Sequence, residues 1–272
     1  MILEKLPSFQ PVAAGQRALL KVPKYAMTLT RVQMVLGGTF TKANIEQINV
    51  KIGSRVIWDL TGLELEAINS YKGLDDPATH LTIDFTEKDA GDIVGKEIGG
   101  IDMTQISGDE IYIEVKIAAA AVNPTLRATA FWTPPQGNDL IKKYVKQGTA
   151  NLSAGRTDIN FNPMGSLIQR MYIGYTGTDW GASANGNVAD LRVRKNGNAV
   201  WDEVSCLDAR VIQAHYGKVP QSKFYVYDPI VDNNQSGALV TADAKSLLIQ
   251  PLLTASDTLA CIFEVLDKPF NL

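Results

Sequence analysis

The sequence predicts an all-β chain made of two antiparallel β-sandwiches in tandem. Three observations carry that expectation: short runs in which apolar and polar residues alternate, one helix-like segment in each half, and a second half that repeats the first half's segments in order.

The alternation is clearest where Ile111, Ile113, Val115 and Ile117 are interleaved with Tyr112, Glu114 and Lys116, the period of a strand with one buried face. Segments 18–22, 29–36, 45–52, 81–85 and 126–132 have the same character, and the loops between them are rich in Gly, Asn, Asp and Thr. A single helix per half argues against alternating βαβ units. An eight-stranded jelly roll with one short inserted helix suits a unit of about 130 residues.

The repeat is read from matched segments. Ala14-Gly15 precedes a strand-like run ending at Pro23, and Ala154-Gly155 precedes one ending at Pro163. Segment 31–37, opening on Arg31, matches 170–175, opening on Arg170. Residues 50–59 and 193–202 each read as a hairpin with a Gly-containing turn, ending in Trp58-Asp59 and Trp201-Asp202. Helix-like segments 63–71 and 204–216 follow, closed by Gly73 and Gly217, since glycine readily takes the left-handed stop. Residues 81–84 then match 225–228, and 112–115 match 262–265, the offset widening from 139 at Arg31/Arg170 to 150 at Tyr112/Ile262.

Between the halves, residues 133–137 form a breaker cluster, and Asn138 caps a helical spacing of Leu140, Ile141, Tyr144 and Val145. The expected organisation is a first jelly roll at 1–132, a linker with a short bridging helix at 133–148, and a second jelly roll at 149–272. Trp58 and Trp201 are expected as equivalent core anchors. Residues 1–11 precede the repeat and carry Ile2, Leu3, Leu6 and Phe9. They have no counterpart before Ala154 and are expected to be covered by the chain's own base or a neighbouring subunit, with a lipid surface as the alternative.

Composition narrows the function. The 272 residues carry a net charge of -3, with 13 basic and 16 acidic side chains before Gln136 and 13 of each after it, so neither half is a nucleic-acid-binding arm. Cys206 and Cys261 lack metal-ligand spacing and read as small buried apolar groups. The first residues lack the basic-then-apolar pattern of a signal peptide, so the chain is expected to be made and kept, or to assemble, in a reducing cytoplasm.

The residue types that carry catalysis are sparse. His80 and His215 sit in no zinc or nucleophile pattern, and His215 reads as a cation at a helix end. The run 91–97 has one residue too few for a phosphate loop and lacks the Ser or Thr after Lys96. Asp75-Asp76 and the pair Asp228/Asp232 are oxygen-rich, so a structural calcium is the cofactor the sequence allows, although no local ligand pattern places it. Loop 177–186 could present Trp180 to a sugar ring, and 118–122 is apolar enough for a subunit interface. No enzyme activity, no catalytic residue and no metal-ligating residue is expected.

The segment 11–15, the hairpin ending at Trp58, Tyr71-Lys72-Gly73, the strand 189–193, His215-Tyr216-Gly217-Lys218 and the closing strand to Leu266 are together similar to the major capsid proteins of corticoviruses. Those are tailless bacteriophages with an internal membrane. The resemblance implies a double jelly roll of the adenovirus hexon lineage and a homotrimer of pseudo-sixfold shape. It also implies an icosahedral shell in the virion, with neighbouring capsomers, minor capsid and vertex proteins and the viral membrane as partners. The alternative is a tandem jelly-roll carbohydrate-binding module, with Trp180 as its stacking residue.

Overall fold

The computed structural model describes residues 1–106, 108–159, 161 and 165–271, with 149 and 150 by their backbone alone. Pro163, the expected end of a repeated strand, lies outside the described residues. The chain divides into two compact units, one of Met1–Tyr144 with Leu266–Leu272 and one of Val145–Val265.

The first unit contains β1 (Ile2–Lys5), β2 (Arg17–Val22), β3 (Thr28–Gly37), β4 (Ile45–Ile52), β5 (Arg55–Leu60), α1 (Gly62–Tyr71), β6 (His80–Asp84), α2 (Ile93–Glu97), β7 (Ile101–Asp102), β8 (Ile111–Ile117) and β9 (Thr125–Thr133). One sheet runs β1-β9-β3-β6, with β7 beside β3; the other runs β5-β4-β8-β2. The alternation read from the sequence sets the inward faces: Ala18, Leu20 and Val22 on β2, and Ile111, Ile113, Val115 and Ile117 on β8, are buried. Facing them, Leu126, Ala128, Ala130 and Trp132 of β9 close the core. Each buried aliphatic side chain contributes roughly 1.5–3 kcal/mol relative to exposure.

The second unit is entered by β10 (Ile141–Leu152) and contains β11 (Gly155–Arg156), β12 (Leu167–Tyr175), β13 (Val188–Lys195), β14 (Asn198–Ser205), α3 (Cys206–His215), β15 (Phe224–Tyr227), β16 (Leu239–Val240), β17 (Leu247–Leu253) and β18 (Asp257–Asp267). One sheet runs β11-β17-β13-β14; in the other, β12 stands between β15 and β18 and also pairs with β16. Ile168, Met171, Ile173, Val193, Ile249, Phe263 and Val265 lie in the core between them.

Eight strands therefore recur in one order, β2–β9 and β11–β18, with a helix after the fourth in each set. The caps recur too: Thr61 Oγ1 accepts from Glu64 N–H, and Ser205 Oγ accepts from Asp208 N–H. At the second hairpin turn Asn196 and Gly197 take φ of 52° and 81°, the left-handed pair that a tight hairpin requires.

Four expectations are corrected. The bridging helix placed within 133–148 is strand β10. Ile141, Lys142, Lys143 and Tyr144 are all buried, so both faces are covered and the alternation that marks a strand is erased. The two lysines are held by Glu87, 2.6 Å from Lys142 Nζ, and Asp267, 3.4 Å from Lys143 Nζ.

The counterpart of β8 is β17 and not the segment 262–265. β8 lies between β4 and β2 as β17 lies between β13 and β11, whereas 262–265 belong to β18, the partner of β9 in the repeat. Residues 1–11 also have a counterpart and belong to the first sandwich. β1 pairs antiparallel with β9 from Ile2↔Trp132 to Lys5↔Thr129, and Leu6 and Phe9 are buried. In the second set β10 occupies that place, beside β18. Finally, the tail Leu266–Leu272 packs in the first unit, where Arg55 bonds the Phe270 carbonyl, so the second sandwich does not run to 272.

Candidate assembly surfaces

The repeat extends to side-chain chemistry. Arg31 on β3 sits opposite Asp84 on β6, with Nη2 2.8 Å from Oδ2. Arg170 on β12 reaches Asp228 just past β15, with Nε 3.0 Å from Oδ2. Both aspartates also accept a backbone N–H two residues on, from Thr86 and Ile230. The third partner differs. Arg31 lies over the ring of Phe131 at 5.8 Å, whereas Arg170 meets Glu264, which also accepts from Tyr172 Oη at 2.8 Å. The Arg31 side chain is 28% exposed and the Arg170 side chain 0%, so one ion pair is wet and the other dry.

Trp58 and Trp201 occupy the same register, opposite Val50 and Val193 in their hairpins. Trp58 is buried, its indole N–H donated to the Lys142 carbonyl at 2.8 Å and its ring edge-on to Tyr144 at 4.5 Å. Trp201 is half-buried and donates to Tyr225 Oη at 2.9 Å. The expectation of two equivalent core anchors therefore holds for Trp58 alone, because β5 is closed by Tyr144 pairing parallel with Trp58 while β14 ends its sheet among the described residues.

The residues singled out for chemistry are employed by the fold. His80 opens β6 with Nδ1 3.0 Å from Thr79 Oγ1, and His215 closes α3. Asp92 caps α2 by accepting from Gly95 N–H, so the run 91–97 is a capped helical turn. Asp76 accepts from Thr82 N–H and Oγ1, Asp228 pairs with Arg170, and Asp232 accepts from Asn234 N–H. Asp75 stands in the loop before β6. Among the described residues no group of three or more His, Cys, Asp or Glu is placed to hold a metal ion.

Trp180 is not free to stack on a sugar. The guanidinium of Arg210 lies 3.2 Å from its ring centroid, and its indole N–H is donated to the Gln221 carbonyl at 2.9 Å. The loop around it is anchored by Asp257, which accepts from Thr176, Gly177 and Asn187. Burial opposes the charged form of that carboxyl, but these hydrogen bonds outweigh it and hold the group far below the usual carboxylate range.

Several apolar side chains remain exposed. On the first unit the most exposed include Ile2 and Leu3 of β1, Leu63 of α1, Ile93 and Val94 of α2, and Val122. The second unit has an open groove of about 510 Å³, lined by Val200, Trp201, Tyr227, Pro229, Leu239 and Val240. Apolar side chains left in solvent along an open sheet edge mark a surface built to meet another surface. Sequence reasoning singled out Ile2, Leu3 and the run that ends at Val122 but missed the groove, because it depends on which strand lies beside which.

Residues 3–133 match the family model of the viral coat protein P2 N-terminal domain, and residues 141–269 match that of the P2 C-terminal domain. No curated protein sequence matches the chain. Among solved structures, it is similar to the major capsid protein P2 of bacteriophage PM2, with TM-score 0.86 at 18% identity over 98% of this chain and 97% of that one. It is also similar to a chain of Sulfolobus Turreted Icosahedral Virus, with TM-score 0.74 at 14% identity over 99% and 91%. A chain of the PBCV-1 virus capsid aligns with TM-score 0.67 at 9% identity over 97% and 92%. With both halves matched in order, the chain belongs to the P2 family of viral coat proteins and is a capsid protein of the double jelly-roll kind.

Proposed function

We propose that this coat protein is the principal building block of its shell, working as a homotrimer with a pseudo-sixfold outline that tiles an icosahedral capsid. The observation that carries the reading is the repeat of eight strands and a helix within one chain. Two like units per chain and three chains about an axis give six like edges, so one gene product can fill hexagonal positions. Closure about the axis needs a heterologous contact made three times. The role is structural, in the virion, after assembly in the host cytoplasm. The covered face of Trp180 and the paired carboxylates support it over a tandem carbohydrate-binding module.

The partners follow from the same reading: the chain itself, neighbouring capsomers, and the minor and vertex proteins that fill the remaining positions. We further propose a shell lying over the internal membrane of a tailless bacteriophage. Among the described residues no helix is long and apolar enough to cross a membrane. The net charge of -3 gives no means of gathering a genome directly. Light scattering of the purified chain tests the proposal. A mass near three times 29.6 kDa is expected, and a monomer that binds glycans would overturn it.

A further inference from the structure

Strands β1 and β10 hold the same place in the two sets. Each precedes eight strands, and each lies beside the last strand of its set, β1 beside β9 and β10 beside β18. Strand β10 also does something for which β1 has no match in the chain. At its start, Tyr144 pairs parallel with Trp58 and closes the outer edge of β5. The Tyr144 ring and the Lys142 carbonyl then cover the indole, leaving Trp58 1% exposed.

The counterpart edge, β14, stands open. It is last in its sheet among the described residues, Val200 on it is 42% exposed, and Trp201 lines the groove where a ring like that of Tyr144 would sit. On β1 the edge away from β9 is likewise unpaired among the described residues, and it displays Ile2 and Leu3, 54% and 57% exposed. There are thus one open seat and one open strand, related as the filled seat and filling strand of the first unit are.

We propose that the groove at Trp201 is the seat of β1 from a second copy of this chain, added in parallel to β14 as β10 is added to β5. The inference rests on the homotrimer reading and supplies its joint. Each chain would give a strand to one neighbour and take one from the other, closing a ring of three. The lengths agree: β1 has four residues, and β14 offers four, Asn198 to Trp201, with a register shift at Val200 that the filled seat repeats between its Trp58 and Val56 pairs. A second shift and a left-handed φ of 53° at Glu203 follow, and an irregularity of that kind limits strand addition. Parallel addition would bring Lys5 to the end of β14 where Asp202 and Glu203 are already held by Arg192, so the joint rests on the open edges and not on charge. It also explains why so exposed an edge is tolerated, since an uncovered strand edge otherwise invites indiscriminate pairing.

Paired cysteines in the full chain test it. Ile2→Cys or Leu3→Cys is combined with Ala199→Cys or Val200→Cys, four double variants that span the neighbouring registers. After mild oxidation, at least one should give covalent dimers and trimers on a non-reducing denaturing gel, and the single variants none. Light scattering is run on the same samples. A trimeric mass with no inter-chain link in any double variant overturns this joint and leaves the trimer standing. A monomeric mass overturns the trimer itself. As a second measure, Leu3→Glu should lower trimer affinity at least tenfold with an unchanged far-ultraviolet spectrum. A folded Leu3→Glu chain that trimerises like the parent refutes the joint.

Discussion

Replacing Asp84 and Asp228 separately with Asn separates a wet ion pair from its dry copy. The two carboxylates hold matching positions and matching partners, Arg31 and Arg170, at 2.8 and 3.0 Å. At 3.0 Å and an effective dielectric constant near 20, the Coulomb attraction is about 5–6 kcal/mol, so geometry alone would make the two losses equal. Burial decides otherwise. Arg170, Asp228 and Glu264 are all within 1% of full burial, and Asp228→Asn leaves the guanidinium on Glu264 with no water to replace the charge-assisted bond that is lost. The expected loss for Asp228→Asn is about 2–3 kcal/mol. Arg31 is 28% exposed, and the guanidinium can turn to solvent, so Asp84→Asn should lose about 1 kcal/mol. Thermal unfolding at one fixed protein concentration reads the difference. The Asp228→Asn midpoint should fall by on the order of 10 °C and the Asp84→Asn midpoint by a few degrees at most. Equal shifts, or a larger one for Asp84→Asn, would refute the argument that desolvation, and not distance, sets the worth of these pairs.

Other outcomes follow from single side chains. Trp58→Ala should cost about 3–5 kcal/mol by chemical unfolding, and Trp201→Ala roughly half as much in the unassembled chain, because part of that ring already faces water. Asp257 has a folded pKa held below its unfolded value. Its contribution is complete above the unfolded carboxylate range and is lost as pH falls through the folded pKa. Asp257→Asn should therefore flatten the loss of stability on acidification below about pH 4, and a curve parallel to the parent's would count against the hydrogen-bond account. Burial pushes the Cys206 thiol up to about 11 and the Cys261 thiol up to about 12, so neither should react with a thiol reagent at neutral pH until the chain unfolds. Ser205→Ala removes the acceptor for Asp208 N–H at the start of α3 and should cost about 1 kcal/mol.

Much of this fold was legible in local pattern. The alternation in β8, the paired hairpins ending at Trp58 and Trp201, and the capped helices after them are set by residues a few positions apart. What escaped notice depends on partners distant in the chain. Nothing local marks Lys142 and Lys143 as buried, because their carboxylates lie 55 and 124 residues away, and the spacing of Leu140, Ile141, Tyr144 and Val145 then passes for a helix. β17 was overlooked as the match of β8 because Gln250 and Pro251 interrupt its apolar run, while the better-looking run in β18 stood in for it. Ile2, Leu3 and Trp201 were visible as residues. Their meaning was not, since an open edge exists only relative to the strands that close other edges. The buried cluster of Arg170, Asp228, Glu264 and Tyr172 was equally hidden, being four polar residues in or just past strands of mostly apolar neighbours.

The most direct test of a trimeric, pseudo-sixfold building block is the outline of the purified chain by electron microscopy. Class averages viewed down the particle axis should show six lobes of similar size in a hexagon, with threefold symmetry when the lobes are compared at higher detail. Single two-lobed particles, or rings with any number of lobes other than six, would contradict it.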